Sequence, residues 1–262
     1  MDAAPGVNFL LAAPVFAHWP SRPGACDDPC VRTRTLMPYT QRESTDSVIL
    51  EPAAPATAAV IWLHGLGADG FDFVPVVDEL KLPATLAVRF VFPHAAPRPV
   101  TINNGYVMRA WYDIQQLGGG SLVEDDAGIR ESARLVMQYA EQQHAAGVPA
   151  NRLVIAGFSQ GGAIALHTGL RYPQRLAGIL ALSTYLPLRA SLAAEAAPAN
   201  RDVPILMCHG TYDPVVPAAM GAASRDVLQS LGHAVDWRMY PMEHSVALEE
   251  IADISAWLQG CF

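Results

Sequence analysis

The hexapeptide Gly157-Phe158-Ser159-Gln160-Gly161-Gly162 constrains this chain more than any other feature. It follows an apolar run, Arg152-Leu153-Val154-Ile155-Ala156, and precedes a short apolar helix pattern over Ala163–Leu170. A strand must therefore turn sharply into a helix around Ser159. Glycines two residues to either side of the serine let the backbone pass close to its neighbours, where a side chain would collide. The serine hydroxyl then projects above a sheet edge, facing the free N–H groups and positive dipole end of the following helix. A serine placed so is a candidate nucleophile. A phosphate-cradling loop also sets a glycine-rich turn before a helix, but no lysine follows and G-x-x-x-x-G-K-[ST] is absent.

The rest of the chain supplies a sheet for this turn. Ala58–Leu63, Arg89–Pro93, Gly178–Leu182 and Pro204–Cys208 are near-continuous apolar runs, the pattern of parallel strands covered on both faces. Between them, Ile129, Ala133, Val136 and Ala140 form one stripe of a helix over residues 126–144. Ala247, Ile251, Ile254 and Leu258 do the same in the last helix. The alternation predicts an α/β fold, a mainly parallel central sheet with helices on both faces. Residues 45–262 show no internal repeat or linker and read as one catalytic domain.

Residues 1–44 differ from the rest. They are proline-rich and balance four acidic residues against four arginines. The expectation is a poorly ordered or loosely docked extension, or an over-extended reading frame with its biological start at Met37. Val7–Ala13 resembles the apolar centre of a signal peptide, but an acid, Asp2, and no Lys or Arg precede it. Export is not expected.

Composition removes several function classes. Hydrophobic residues are 51% and charged residues 16%, which excludes general disorder. Acidic residues outnumber basic ones, 25 to 17, which argues against a nucleic-acid partner and a polybasic membrane surface. No run is long enough for a spanning helix, so stable membrane insertion is not expected. The cysteines, Cys26, Cys30, Cys208 and Cys261, suit neither a disulfide framework nor zinc. Reduced thiols in a cytoplasmic protein are expected.

A serine hydroxyl needs a base, and the base needs an orienting acid. In this architecture the chain order is serine, acid, histidine. His244 lies between the short run Trp237–Tyr240 and the last helix, on a loop after a strand. His233 follows a helix end at Leu231-Gly232 and reads as a surface or C-terminal cap histidine, so His244 is favoured as base. Asp213, in Gly210-Thr211-Tyr212-Asp213-Pro214, follows its own strand directly and is the candidate acid. The alternative for Asp213 is a turn-forming Asp-Pro. Asp202 precedes the strand, at the wrong end of the sheet, and His209 reads as packed or hydrogen-bonded. For a developing oxyanion, backbone N–H donors are expected from Gln160 and from Leu66, in the loop His64-Gly65-Leu66-Gly67-Ala68-Asp69-Gly70.

Together these segments resemble the carboxylesterase/phospholipase family of α/β-hydrolases, which includes acyl-protein thioesterases. The matching residues are His64–Gly67, Arg109-Ala110-Trp111-Tyr112-Asp113, Gly157–Gly162, Leu182-Ser183-Thr184-Tyr185-Leu186-Pro187, Gly210–Asp213 and Glu243-His244. They run in order from about 46 to 260. The resemblance implies an α/β-hydrolase fold without a large lid domain. It also implies no cofactor or metal, and a small-molecule ester or thioester as substrate. It points to Trp111, Leu117 and Tyr185 as apolar substrate contacts, with core packing the competing reading for each. Leu117-Gly118-Gly119-Gly120-Ser121 would make the acyl loop unusually flexible. The function expected is a serine esterase for short- to medium-chain acyl groups. The alternative is an acyl-protein thioesterase or lysophospholipase acting on long chains. A serine peptidase lacks a specificity domain here, and a binding protein with a silent site would have lost one of the three side chains. A homodimer is left open.

Overall fold

In a computed structural model, which describes residues 33–36, 39–115 and 123–262, nine strands form one sheet in the order β1-β2-β3-β5-β4-β8-β9-β10-β11. The strands are β1 (Thr33–Leu36), β2 (Tyr39–Glu43), β3 (Ser47–Pro52), β4 (Ala58–Leu63), β5 (Val88–Pro93), β8 (Leu153–Phe158), β9 (Gly178–Leu182), β10 (Ile205–Gly210) and β11 (Val235–Tyr240). From β5 to β11 all neighbours are parallel, while β1, β2 and β3 add on antiparallel. A separate antiparallel hairpin joins β6 (Pro97–Val100) and β7 (Tyr106–Arg109). The α-helices are α1 (Val76–Leu80), α2 (Asp126–Ala145), α3 (Gln160–Arg171), α4 (Arg189–Glu195), α5 (Ala218–Ser230) and α6 (Leu248–Cys261).

Every residue of β4, β8, β9 and β10 is buried, as continuous apolar runs require. Alternate residues go to opposite faces. Ala59, Ile61 and Leu63 pack with Ile129, Val136 and Ala140 of α2 and Ile164 and Leu170 of α3. Ala58, Val60 and Trp62 pack with Val76, Val77 and Leu80 of α1 and Ile251, Ile254 and Leu258 of α6. The two predicted helical stripes thus cover opposite faces of one sheet. Truncating a side chain such as Ile61 to alanine in either layer costs about 2–5 kcal/mol.

The expected boundary after residue 44 falls in the turn between β2 and β3. Residues 33–36 and 39–43 of the expected loose extension are strands of the sheet. The reason is local: Tyr39 and Gln41 turn inward, with the Tyr39 ring 5.8 Å from that of Phe90 on β5. The expectations for residues 1–32 and for Met37 as a start lie outside the described residues.

Parallel strands end at the same edge. The loops after β4, β8, β10 and β11 therefore gather on one rim of the sheet, where the candidate site residues lie.

Candidate active site

Ser159 occupies the turn between β8 and α3 with φ 54° and ψ −119°, in left-handed territory that a side chain rarely adopts. Its N–H donates to Leu182 O at 2.8 Å, and its carbonyl accepts from Thr184 Oγ1 at 2.6 Å. These bonds to the end of β9 hold the strained turn in place. A Cβ on Gly161 would lie 2.5 Å from the carbonyl oxygens of Leu63 and His64. The motif glycine thus lets α3 start against the loop after β4. A Cβ on Gly157 would collide with the Gly161 carbonyl.

Asp213 and His244 meet across two other loops. Thr211 N donates to Tyr240 O at 2.8 Å and Tyr212 N to Met242 O at 3.0 Å, joining the loop after β10 to the one after β11. Asp213 Oδ1 accepts from the N–H groups of Val215 at 2.9 Å and Val216 at 2.8 Å. Its Oδ2 lies 2.7 Å from His244 Nδ1. A carboxylate only accepts, so Nδ1 carries the proton and Nε2 is left as the basic nitrogen. Burial works to raise the Asp213 pKa. The hydrogen bond and charge of His244 and the two backbone N–H groups outweigh it and hold the carboxyl below its ordinary value. The Phe158 ring, one residue before Ser159, lies 4.7 Å from the His244 ring, which brings this pair to the serine turn.

Leu66 and Gln160 each adjoin a residue at the serine turn: Gln160 follows Ser159, and Leu66 follows Gly65, where a Cβ would lie 3.6 Å from Ser159 Cβ. Among the described residues, neither backbone N–H meets a protein acceptor. The loop carrying Leu66 is braced: Gly67 N donates to Arg109 O at 2.9 Å, and Trp111 Nε1 to His64 O at 2.9 Å. His64 pairs Nδ1 with Gly65 O at 2.7 Å, and its Nε2 accepts from Ala95 N at 3.1 Å. Burial lowers the His64 pKa to about 4, which keeps the ring neutral and able to accept. The Gln160 side chain takes Trp111 N at 2.8 Å and gives to Tyr112 O at 2.7 Å.

Of the expected substrate contacts, Trp111 is 1% exposed and its indole N–H is engaged by His64, which makes it a brace of the loop. Tyr185 is buried too, its hydroxyl 2.8 Å from that of Tyr112. Leu117 and the glycine run after it lie outside the described residues. His233 caps α5 as expected, its N–H donating to Leu228 O at 3.0 Å, but it is buried rather than at the surface. His209 is buried and hydrogen-bonded, as expected. Among the described residues, no group of three or more His, Cys, Asp or Glu could hold a metal ion, and no helix is long and apolar enough to cross a membrane. Sequence reasoning missed the bracing by the Gln160 side chain and the Trp111 indole. The Trp-Tyr-Asp and G-x-S-x-G segments carried that signal only jointly.

A mainly parallel sheet, a strained serine turn at its rim and an acid–imidazole pair on neighbouring loops define an α/β-hydrolase. The chain belongs to the phospholipase/carboxylesterase family, whose model matches residues 44–262, and is thereby a hydrolase of the esterase/thioesterase kind. It is 39% identical over 220 residues to acyl-protein thioesterase 1 of Gibberella zeae, covering 81% of this chain and 94% of that one. With acyl-protein thioesterase 1 of Neurospora crassa the identity is 41%, over 80% of this chain and 89% of the relative. The crystal structure of SOBER1 from Arabidopsis thaliana superimposes with a TM-score of 0.74 at 32% identity, covering 78% of this chain and 98% of that chain.

Proposed function

We propose that the protein hydrolyses carboxylic esters and thioesters through a covalent acyl-enzyme on Ser159. The observation that carries this reading is the 2.7 Å contact of His244 Nδ1 with Asp213 Oδ2, beside a serine held at positive φ. Ser159 Oγ attacks the acyl carbon as its proton passes to His244 Nε2. The carbonyl electrons move onto oxygen, which the Leu66 and Gln160 N–H groups stabilise. The C–O or C–S bond then breaks, and the leaving alcohol or thiol takes the proton from Nε2. Water repeats the sequence in reverse and releases the acid. Asp213 keeps the imidazole in the required tautomer and stabilises its cation.

The substrate reading is an ester of a short- to medium-chain acid. A second reading, removal of long acyl chains from protein thioesters, is favoured by the two relatives named acyl-protein thioesterase 1. A cytoplasmic location belongs to the same proposal, supported by the free thiols of Cys208 and Cys261. Turnover of p-nitrophenyl esters from acetate to palmitate, beside an S-palmitoylated peptide and the Ser159→Ala variant, tests the chemistry and the chain length. A kcat/KM maximum at the short esters supports the first reading and one at the palmitoyl substrates the second. Equal activity of Ser159→Ala contradicts both.

A further inference from the structure

His209, the penultimate residue of β10, is fully buried and stands four residues before Asp213. Its Nε2 lies 2.8 Å from Val216 O and 3.6 Å from Asp213 Oδ2. A carbonyl and a carboxylate both accept, so Nε2 carries the proton. Nδ1 then holds a bare lone pair, buried and without a partner among the described residues. Gly221 of α5 and the Trp237 ring of β11 close in around the ring: a Cβ on Gly221 would lie 2.5 Å from Nδ1, and the ring centroids of His209 and Trp237 are 5.7 Å apart. A hydrocarbon side chain would fill this space but leave the Val216 carbonyl without its donor. What the imidazole adds is one N–H, aimed at the loop that carries the acid.

That loop is closed from both ends. The Asp213 carboxylate takes the N–H groups of Val215 and Val216 with Oδ1, which leaves Oδ2 for His244. The same residue, Val216, returns its carbonyl to His209 before the chain enters α5 through Pro217. Val216 therefore links the two: its N–H fixes the carboxylate, and its C=O is fixed by a rigid strand. We propose that His209 is a positioning residue for the acid, and that its Nε2–H, by anchoring Val216, sets the Asp213 carboxylate at the distance His244 needs. This rests on the serine-hydrolase reading above. The titratable groups facing the ring are Asp213 and His244, and burial of His209 favours its neutral form, in which this N–H points at Val216.

The test compares His209→Phe, His209→Asn and His209→Gln with the parent chain. Phenylalanine keeps an aromatic ring against Trp237 but has no donor. Glutamine reaches Val216 O with an N–H, and asparagine is too short. With p-nitrophenyl butyrate as substrate, kcat of the Phe and Asn variants falls by about 10-fold or more with KM little changed, because a misplaced acid weakens the transition state alone. The acid limb of kcat/KM against pH moves to lower pH in both, since His244 loses support for its cation. Gln restores both quantities most of the way. If the Phe variant does not fold by circular dichroism, the Asn and Gln pair decides. Folded Asn and Gln variants with equal kcat and an unmoved acid limb overturn the inference. Absence of turnover in the parent chain, or turnover undiminished by Ser159→Ala, overturns the functional reading instead.

Discussion

His244 Nδ1 lies 2.7 Å from Asp213 Oδ2, and the other oxygen of that carboxylate is occupied by two backbone N–H groups. Each acceptor on Asp213 is thus committed, and the imidazole faces one defined lone pair. Aspartate bridges a turn to a neighbouring loop here, so it both shapes its own loop and holds the tautomer of the next one. Asp213→Asn separates these tasks. The amide oxygen still accepts from Val215 and Val216, so the melting temperature shifts by only a few degrees, but the other position now offers N–H to His244. We expect kcat to fall by about 10³–10⁴-fold, measured with a chromogenic ester, from loss of the tautomer and of support for the cation.

The strain at Ser159 gives a stability prediction of its own. Its φ of 54° costs a residue with a side chain about 1–3 kcal/mol, and glycine removes that cost while gaining some unfolded-state entropy. Ser159→Gly is expected to unfold at higher denaturant concentration, by about 1 kcal/mol net, with turnover abolished. A less stable variant would show that the turn carries no strain.

Gly161 has no room for a methyl group. Ser159 sits on the same turn, so a shift there moves the serine and the Leu66 loop together. Gly161→Ala should lose about 1–3 kcal/mol by urea unfolding and also most of its kcat, because the Leu63 and His64 carbonyls are backbone and yield little. Unchanged stability and activity would mean that α3 and the loop after β4 are not packed this closely.

Glu250 gives a pH dependence to the fold itself. Its side chain is buried in α6, and burial raises its pKa from 4.5 to about 8, with the nearby charge of Asp253 adding to the rise. In the unfolded chain this carboxyl ionises near its ordinary value, whereas in the fold it keeps its proton. Its contribution is therefore complete at pH 4 and is lost as pH rises through about 8. Glu250→Gln keeps an oxygen for the Ala247 N–H and cannot ionise. It should exceed the parent chain in stability by about 1–3 kcal/mol at pH 8.5 and match it near pH 4, read from denaturant midpoints across pH. A constant difference across that range would contradict the assignment.

The central strands were legible because residues buried on both faces must be apolar without interruption, as Ala58–Leu63 and Gly178–Leu182 are. The antiparallel margin was not. Tyr39–Glu43 alternates the inward Tyr39 and Gln41 with Thr40 and Arg42, too short a pattern to separate from a loop. In Pro97–Val100 two prolines disguise a strand that pairs on one side alone, where a missing N–H is tolerated. For the site, chain order and loop position brought Ser159, Asp213 and His244 to one rim, and the structure puts two of them in direct hydrogen-bond contact. What surrounds them depends on which distant side chains meet. No local pattern announces that Gln160 bridges Trp111 to Tyr112, or that the Trp111 indole braces the His64 carbonyl.

The central claim, that Ser159 is the acyl-accepting nucleophile activated through His244, is tested most directly by a fluorophosphonate probe followed by peptide mass mapping. The parent chain should gain one adduct, on the peptide containing Ser159, and Ser159→Ala should gain none. His244→Ala, with the serine intact but no base, should label more slowly by about 10²–10⁴-fold. Labelling at another residue, or at the same rate without His244, would contradict the account.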